Sequence, residues 1–167
     1  AADPGATLAS SNVGSLGGLR QVKRYDRLIR AMTQLPEEWQ LVIFGEGPER
    51  EALIALAAAL GIEHRVHLPG FVDKPQRAVG LFDVFALSSD FEGMCFAVAE
   101  AMALEKPVVS TAVGGVRQSV VEGKTGLLVP PGDPGALAEG LLWMLRHPEE
   151  AREMGRAGGD RTIGMTG

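Results

Sequence analysis

Two carboxylates stand out near the middle of the chain. Glu100 is the one polar residue in CFAVAEAMAL, the segment from Cys95 to Leu104. A helix apolar on every side is expected to be buried. A buried carboxylate needs a cation, a proton or hydroxyl donors around it, so Glu100 is expected to face an internal base or a ligand rich in hydroxyls. Glu92 lies one short stretch earlier, about 12 Å away if the rise is helical, close to the span from one sugar to another across a diphosphate. Opposite charge gathers in a second segment, Gly14 to Lys23, where Gly14, Gly17 and Gly18 precede the cations Arg20, Lys23 and Arg24. Glycines let a backbone approach a ligand closely, and a helix start offers unpaired N–H groups to an anion. Ser88 to Cys95, reading Ser-Ser-Asp-Phe-Glu-Gly before the apolar helix, has the same character. Ordinary strand-to-helix turns share these compositions, and the residues alone leave that alternative open.

These segments are held by an alternation of short apolar runs and helical periods. Runs at Thr7–Leu16, Leu41–Phe44, Arg65–Leu68, Asp83–Leu87, Val108–Val109 and Leu127–Val129 read as strands. Between them, Tyr25, Leu28, Ile29, Met32 and Leu35 share one helical face. Pro48 suits the first turn of a helix through Leu60, with Gly61 at its end. Short helical stretches follow Cys95 and Val116, and Asp133-Pro134 caps a helix ending near Arg146. Pro148 opens one more. Residues 1–157 read as a single domain, and the glycines at 158, 159, 164 and 167 read as a flexible tail. Continuous apolar strands alternating with helices imply an α/β fold, a doubly wound Rossmann-like parallel sheet of about six strands. Its ligand crevice lies beyond the carboxyl ends of the strands where the winding reverses, between the first and the fourth. Gly14–Lys23 and Ser88–Cys95 are the loops expected there.

Composition sets the limits. The 167 residues, 46% hydrophobic and 22% charged, make one globular domain rather than a disordered chain. No apolar run is long enough to cross a bilayer. The opening AADPGATLAS lacks the basic head and apolar stretch of a secretory leader. The single cysteine excludes an internal disulfide framework and fits a reducing compartment. A net charge of −5 argues against nucleic acid as a partner. A phosphate ligand would need local cations and helix ends.

The run EGMCFAVAE, followed by AMALEKPVVSTAVGG and EGKTGLLVPPGD, resembles the family 4 (group 1) retaining glycosyltransferases. It is similar to the carboxyl-terminal, nucleotide-sugar-binding half of their GT-B fold. VGSL with KRYDRLIRAM, LVIFGEGPER, VHLPGFV and DVFALSSDFEG extend the resemblance from about Asn12 to Leu145. It implies that Glu92 binds hydroxyls of the donor sugar and Glu100 the nucleotide ribose. Backbone N–H groups of Gly93, Met94 and Cys95 would face the sugar and phosphates, Lys23 the diphosphate, and Val72 the base through its backbone. Lys23 and Glu92 are the implied catalytic pair. Ser15 stands in the donor site where the family usually has arginine, and Arg20 is a candidate substitute. The loop to Lys23 is about three residues longer than the family pattern. Met94 and Cys95 replace phenylalanine and a glycine or proline, and Glu105 replaces a glycine.

The implied reaction moves a hexosyl group from a UDP-, GDP- or ADP-sugar to a glycan or glycolipid acceptor, by front-face substitution without metal or protein nucleophile. Such enzymes serve polysaccharide and cell-envelope synthesis, with a cytoplasmic location, peripheral at the inner face of the membrane in the full-length protein. The acceptor half is an amino-terminal domain that this chain lacks, so the chain is expected to be inactive alone. Alternatives are Glu92 as a covalent nucleophile, a domain with weakened donor binding and an interaction role, or a nucleotide-sugar epimerase domain. Other motifs carry less. Gly123-Lys124-Thr125 lacks the first glycine of a phosphate loop, since Gln118 stands there, and reads as a turn. Gly45-Glu46-Gly47 lacks the third glycine of a dinucleotide fingerprint. His64 and His67 lack further metal ligands. Cys95 stands at a helix start, where a thiol pKa can fall, but with no histidine demonstrably near it reads as a small helix-opening residue.

Overall fold

The structure, a computed structural model, describes residues 11–166. Residues 7–10 of the first expected strand and Gly167 of the expected tail lie outside the described residues. Six parallel strands form one sheet: β1 (Asn12–Leu16), β2 (Gln40–Phe44), β3 (Val66–Gly70), β4 (Val84–Leu87), β5 (Val108–Thr111) and β6 (Gly126–Val129). Their order is β3-β2-β1-β4-β5-β6, the doubly wound arrangement expected from the alternation. The helices are α1 (Tyr25–Met32), α2 (Arg50–Ala59), α3 (Pro75–Val79), α4 (Phe96–Ala103), α5 (Val116–Ser119), α6 (Pro134–Arg146) and α7 (Pro148–Thr166).

The period-two geometry of a strand explains why the apolar runs are continuous. Leu41 and Ile43 point into one core with Leu28, Ile29 and Met32 of α1, Leu53 of α2 and Leu137 and Leu141 of α6. Val42 and Phe44 point into the other, with Val79 of α3, Val98 and Met102 of α4, and Val116 of α5. Both faces are covered, so β1, β4 and β5 at the middle of the sheet are buried at every position. Two of the signals at the helix ends hold: the Asp133 carboxylate accepts the Ala136 N–H at 3.0 Å, and Gly61 at φ +71° closes the turn after α2, whereas Pro48 precedes the Glu49 N-cap of α2 instead of standing in its first turn.

Three expectations change. Helix α3, five residues in the crossover between β3 and β4, has no counterpart among the helices expected from the sequence; so few residues are too short to show a period. The expected tail from 158 onward is helical, because α7 runs to Thr166 and packs on α4. Its glycines are contacts rather than loose joints: a Cβ at Gly155 would stand 2.1 Å from the Glu105 carbonyl, and one at Gly159 would stand 2.8 Å from Glu105 Cγ. Glu105 itself sits at φ +59°, the left-handed region where the family pattern has glycine. Glu105→Gly is therefore expected to raise stability by up to about 1 kcal/mol, read as a higher urea midpoint; a lower midpoint would show that its side chain contributes more than the strain costs. The third change concerns α4. Only Val98, Ala101 and Met102 are buried, while Phe96 is 71% exposed and Ala99 and Ala103 face outward. Being apolar all round did not bury it all round, because the sheet covers one side and nothing among the described residues covers the other.

Candidate functional site

The winding reverses between β1, which pairs with β2 through Ser15↔Ile43, and β4, which pairs with β1 through Val13↔Val84. The two loops expected at the crevice leave the carboxyl ends of these strands and are fastened together. The Ser88 hydroxyl donates to the Lys23 carbonyl at 2.9 Å, and the Asp90 N–H donates to the Val22 carbonyl at 2.9 Å. Arg24 and Arg27 both reach the Asp90 carboxylate. Arg24 takes φ +50° at the start of α1, where its guanidinium also holds Asp26 and, through that bond first, keeps the Asp26 carboxyl below its usual range. Two charged side chains meet at the centre of this seam. Lys23 Nζ lies 2.7 Å from Glu92 Oε2, and the Ser89 hydroxyl donates to the same oxygen at 2.6 Å.

Glu92 is 7% exposed, so its carboxylate is stabilised by an ammonium and a hydroxyl rather than by water. Behind it, the Thr111 hydroxyl donates to the Ser89 carbonyl at 2.7 Å. Gly115 N–H donates to the Gly93 carbonyl at 3.0 Å. Gly114, at φ +49°, lets the backbone of Glu92 lie directly against the turn after β5, where a Cβ would meet the Glu92 carbonyl at 1.6 Å. A Cβ at Gly115 would meet the Gly93 carbonyl at 2.3 Å. Ser89, Thr111, Gly114 and Gly115 thus carry the loop that presents Glu92. The sequence reading gave them no role, although the Ser-Ser and Val-Gly-Gly pieces were in view.

The other expected residues are placed as follows. Ser15 is wholly buried near the end of β1. Gly93 and Met94 are exposed at the loop tip, Met94 by 78%, and a Cβ at Gly93 would meet nothing within 4 Å. Val72 turns its side chain into the core with Phe44 and Val79, leaving its backbone at the rim after β3. Glu100 corrects an expectation: it is half-buried on α4, with no ion pair or side-chain hydrogen bond among the described residues. The open face of α4 removes the need for an internal cation, so this carboxylate is available to a ligand. Cys95 is the N-cap of α4, in keeping with a helix-opening residue, and burial pushes its thiol above the ordinary value, outweighing the N–H groups of Val98 and Ala97.

Gly45 and Gly47 have a packing cause. A Cβ at either would strike the carbonyl of Gly17 (1.9 Å) or Leu19 (2.5 Å), so they let the loop after β2 brace the loop after β1. Thr125 accepts the Val121 N–H at 2.8 Å, in the turn read for Gly-Lys-Thr. His67 faces Gln40 at 2.8 Å, and burial lowers its pKa. Among the described residues no helix is long and apolar enough to cross a membrane.

The family model of the group 1 glycosyl transferases matches residues 9–161. The chain belongs to the group 1 glycosyltransferases. Within that family it is 36% identical over 124 residues to the D-rhamnosyltransferase WbpZ of Pseudomonas aeruginosa, covering 71% of this chain and 32% of that one. The crystal structure of Anabaena HepE in complex with UDP superposes with a TM-score of 0.89 at 25% identity, over 93% of this chain and 44% of that one. The carboxyl-terminal domain of the Francisella tularensis group 1 protein LpcC shares the fold, with a TM-score of 0.83 at 22% identity over 95% of this chain and 87% of that one. This group 1 chain spans about a third of the curated relative's length and under half of HepE's.

Proposed function

We propose that this chain is the donor-binding half of a retaining, family 4 glycosyltransferase that moves a hexosyl group from a nucleoside-diphosphate sugar to a glycan or glycolipid. The observation that carries the reading is the Lys23–Glu92 pair, 2.7 Å apart at the switch point of a group 1 chain. In the free chain each charge satisfies the other. A sugar diphosphate replaces both partners at once: its phosphates take the ammonium, and its sugar hydroxyls donate to the carboxylate. Glu100, unpaired on the half-open helix, binds the ribose hydroxyls. Backbone N–H groups of Gly93, Met94 and Cys95 face the sugar and phosphates, the Val72 backbone borders the base, and Ser15 lies at the floor.

In the reaction the anomeric C–O bond to phosphate breaks and its electron pair stays on the phosphate oxygen. Lys23 holds the growing negative charge, the effective kind of electrostatic catalysis. The acceptor oxygen bonds the anomeric carbon from the same face, and its proton passes to the departing phosphate. Glu92 orients the sugar. No metal or protein nucleophile is needed. Phe91, Met94 and Phe96, each at least two-thirds exposed, form the apolar rim that meets an acceptor half on the remainder of the protein. The full-length enzyme works at the cytoplasmic face of the membrane in cell-envelope synthesis.

Calorimetry of the chain against UDP-, GDP- and ADP-sugars tests the site. Weak binding of one donor is expected, lost in the Glu92→Gln/Glu100→Gln double variant, with no transfer to added acceptors. Binding that survives the double change would overturn the assignment.

A further inference from the structure

Beneath the Lys23–Glu92 pair lie two hydroxyls with no task in the mechanism above. Tyr25, the first residue of α1, is 2% exposed, and Ser15 is wholly buried. Tyr25 Oη and Ser15 Oγ are both sealed from solvent and, among the described residues, make no hydrogen bond of normal geometry, although Ser15 lies near enough to hydrogen-bond the phenol. A buried hydroxyl without a partner is costly, and folded proteins leave few such groups. Phenylalanine would fill the same volume at position 25 without that cost.

The location of the phenol suggests what it is for. A Cβ at Gly17 would stand 2.7 Å from Tyr25 Oη and 3.6 Å from Lys23 Nζ, so the hydroxyl and the ammonium border the same small space beside Gly17. The Glu92 carboxylate also acts on the phenol electrostatically. Burial, the largest influence, holds its pKa well above the ordinary value and keeps it a proton donor at neutral pH. In the free chain the glycine backbone and the Lys23 side chain border this space.

We propose that Tyr25 Oη donates a hydrogen bond to the distal phosphate of the bound nucleoside diphosphate, with Ser15 Oγ donating to Tyr25 from behind. The bond forms as the diphosphate draws Lys23 away from Glu92. Tyr25 thereby supplies a second phosphate donor at the floor of the site. The inference rests on the donor-site reading above.

The test compares wild type, Tyr25→Phe and Ser15→Ala by calorimetry with UDP, GDP and ADP and with the matching monophosphates, alongside thermal unfolding of the free chain. Tyr25→Phe is expected to weaken the preferred diphosphate about tenfold, to leave the monophosphate within about twofold, and to melt at the same or a higher temperature. Ser15→Ala is expected to show a smaller loss in the same direction. Unchanged diphosphate affinity in Tyr25→Phe overturns the inference while the donor site stands. So does an equal loss for diphosphate and monophosphate. A lower melting temperature with unchanged affinity would place an ordered water or core bond at the hydroxyl, and overturns it too. A wild-type chain that binds none of the three diphosphates overturns both readings.

Discussion

Gly114→Ala is expected to lower the stability of the free chain by about 2–4 kcal/mol, summing overpacking and a left-handed alanine, and to abolish measurable donor binding. The added Cβ would sit 1.6 Å from the Glu92 carbonyl, against backbone that has no side-chain rotamer to adjust. The φ of +49° adds strain of its own. The Glu92 loop has to lift, and the carboxylate leaves Lys23 and Ser89 with it. Gly93→Ala is the control from the same loop: the space beside it is open, and its stability is expected within about 0.5 kcal/mol of wild type. Urea unfolding of both variants measures the contrast. Equal midpoints would mean that the loop does not rest on the turn after β5 as described.

The second large effect is an asymmetry within the ion pair. Lys23→Met leaves the Glu92 carboxylate, 8% exposed, with the Ser89 hydroxyl as its remaining named side-chain partner. Stranding a buried charge in this way is expected to cost about 3 kcal/mol. Glu92→Gln is milder, about 1 kcal/mol, because the amide still accepts from Ser89 and Lys23, 21% exposed, can turn to water. The double variant is expected to be more stable than Lys23→Met alone, a coupling of at least about 1 kcal/mol by double-mutant cycle. A Lys23→Met chain no less stable than Glu92→Gln would show that the pair is not a desolvated one. These variants also separate stability from function, since either single change removes a proposed donor contact while only one leaves an unpaired buried charge.

Glu92 and Lys23 were legible because their types are unusual for their surroundings: an acid after a buried strand, and a cation after a glycine-rich turn. Tyr25 was legible only as a core residue at helical spacing, since nothing in a sequence shows that a phenol ring packs inward while its hydroxyl ends beside Gly17. Gly114 and Gly115 were read as part of a motif without a task, because the carbonyls they admit come from a loop some twenty residues earlier. The glycines of α7 misled for the same reason. A glycine that frays a helix and a glycine that lets two backbones touch look identical until the neighbouring element is in place.

The sequence alone determined the class of fold, its number of strands, about six, and the two loops expected at the reversal. Each of those follows from local periodicity, turn chemistry and the handedness of crossovers, which act over a few residues. Only the tertiary structure decided which charges are paired, which face of α4 stays open, and that Glu100 has no ion pair among the described residues while Glu92 is held. The pairing of Lys23 with Glu92 joins residues 69 apart in the chain, where burial and distance set the electrostatics and no short pattern records them.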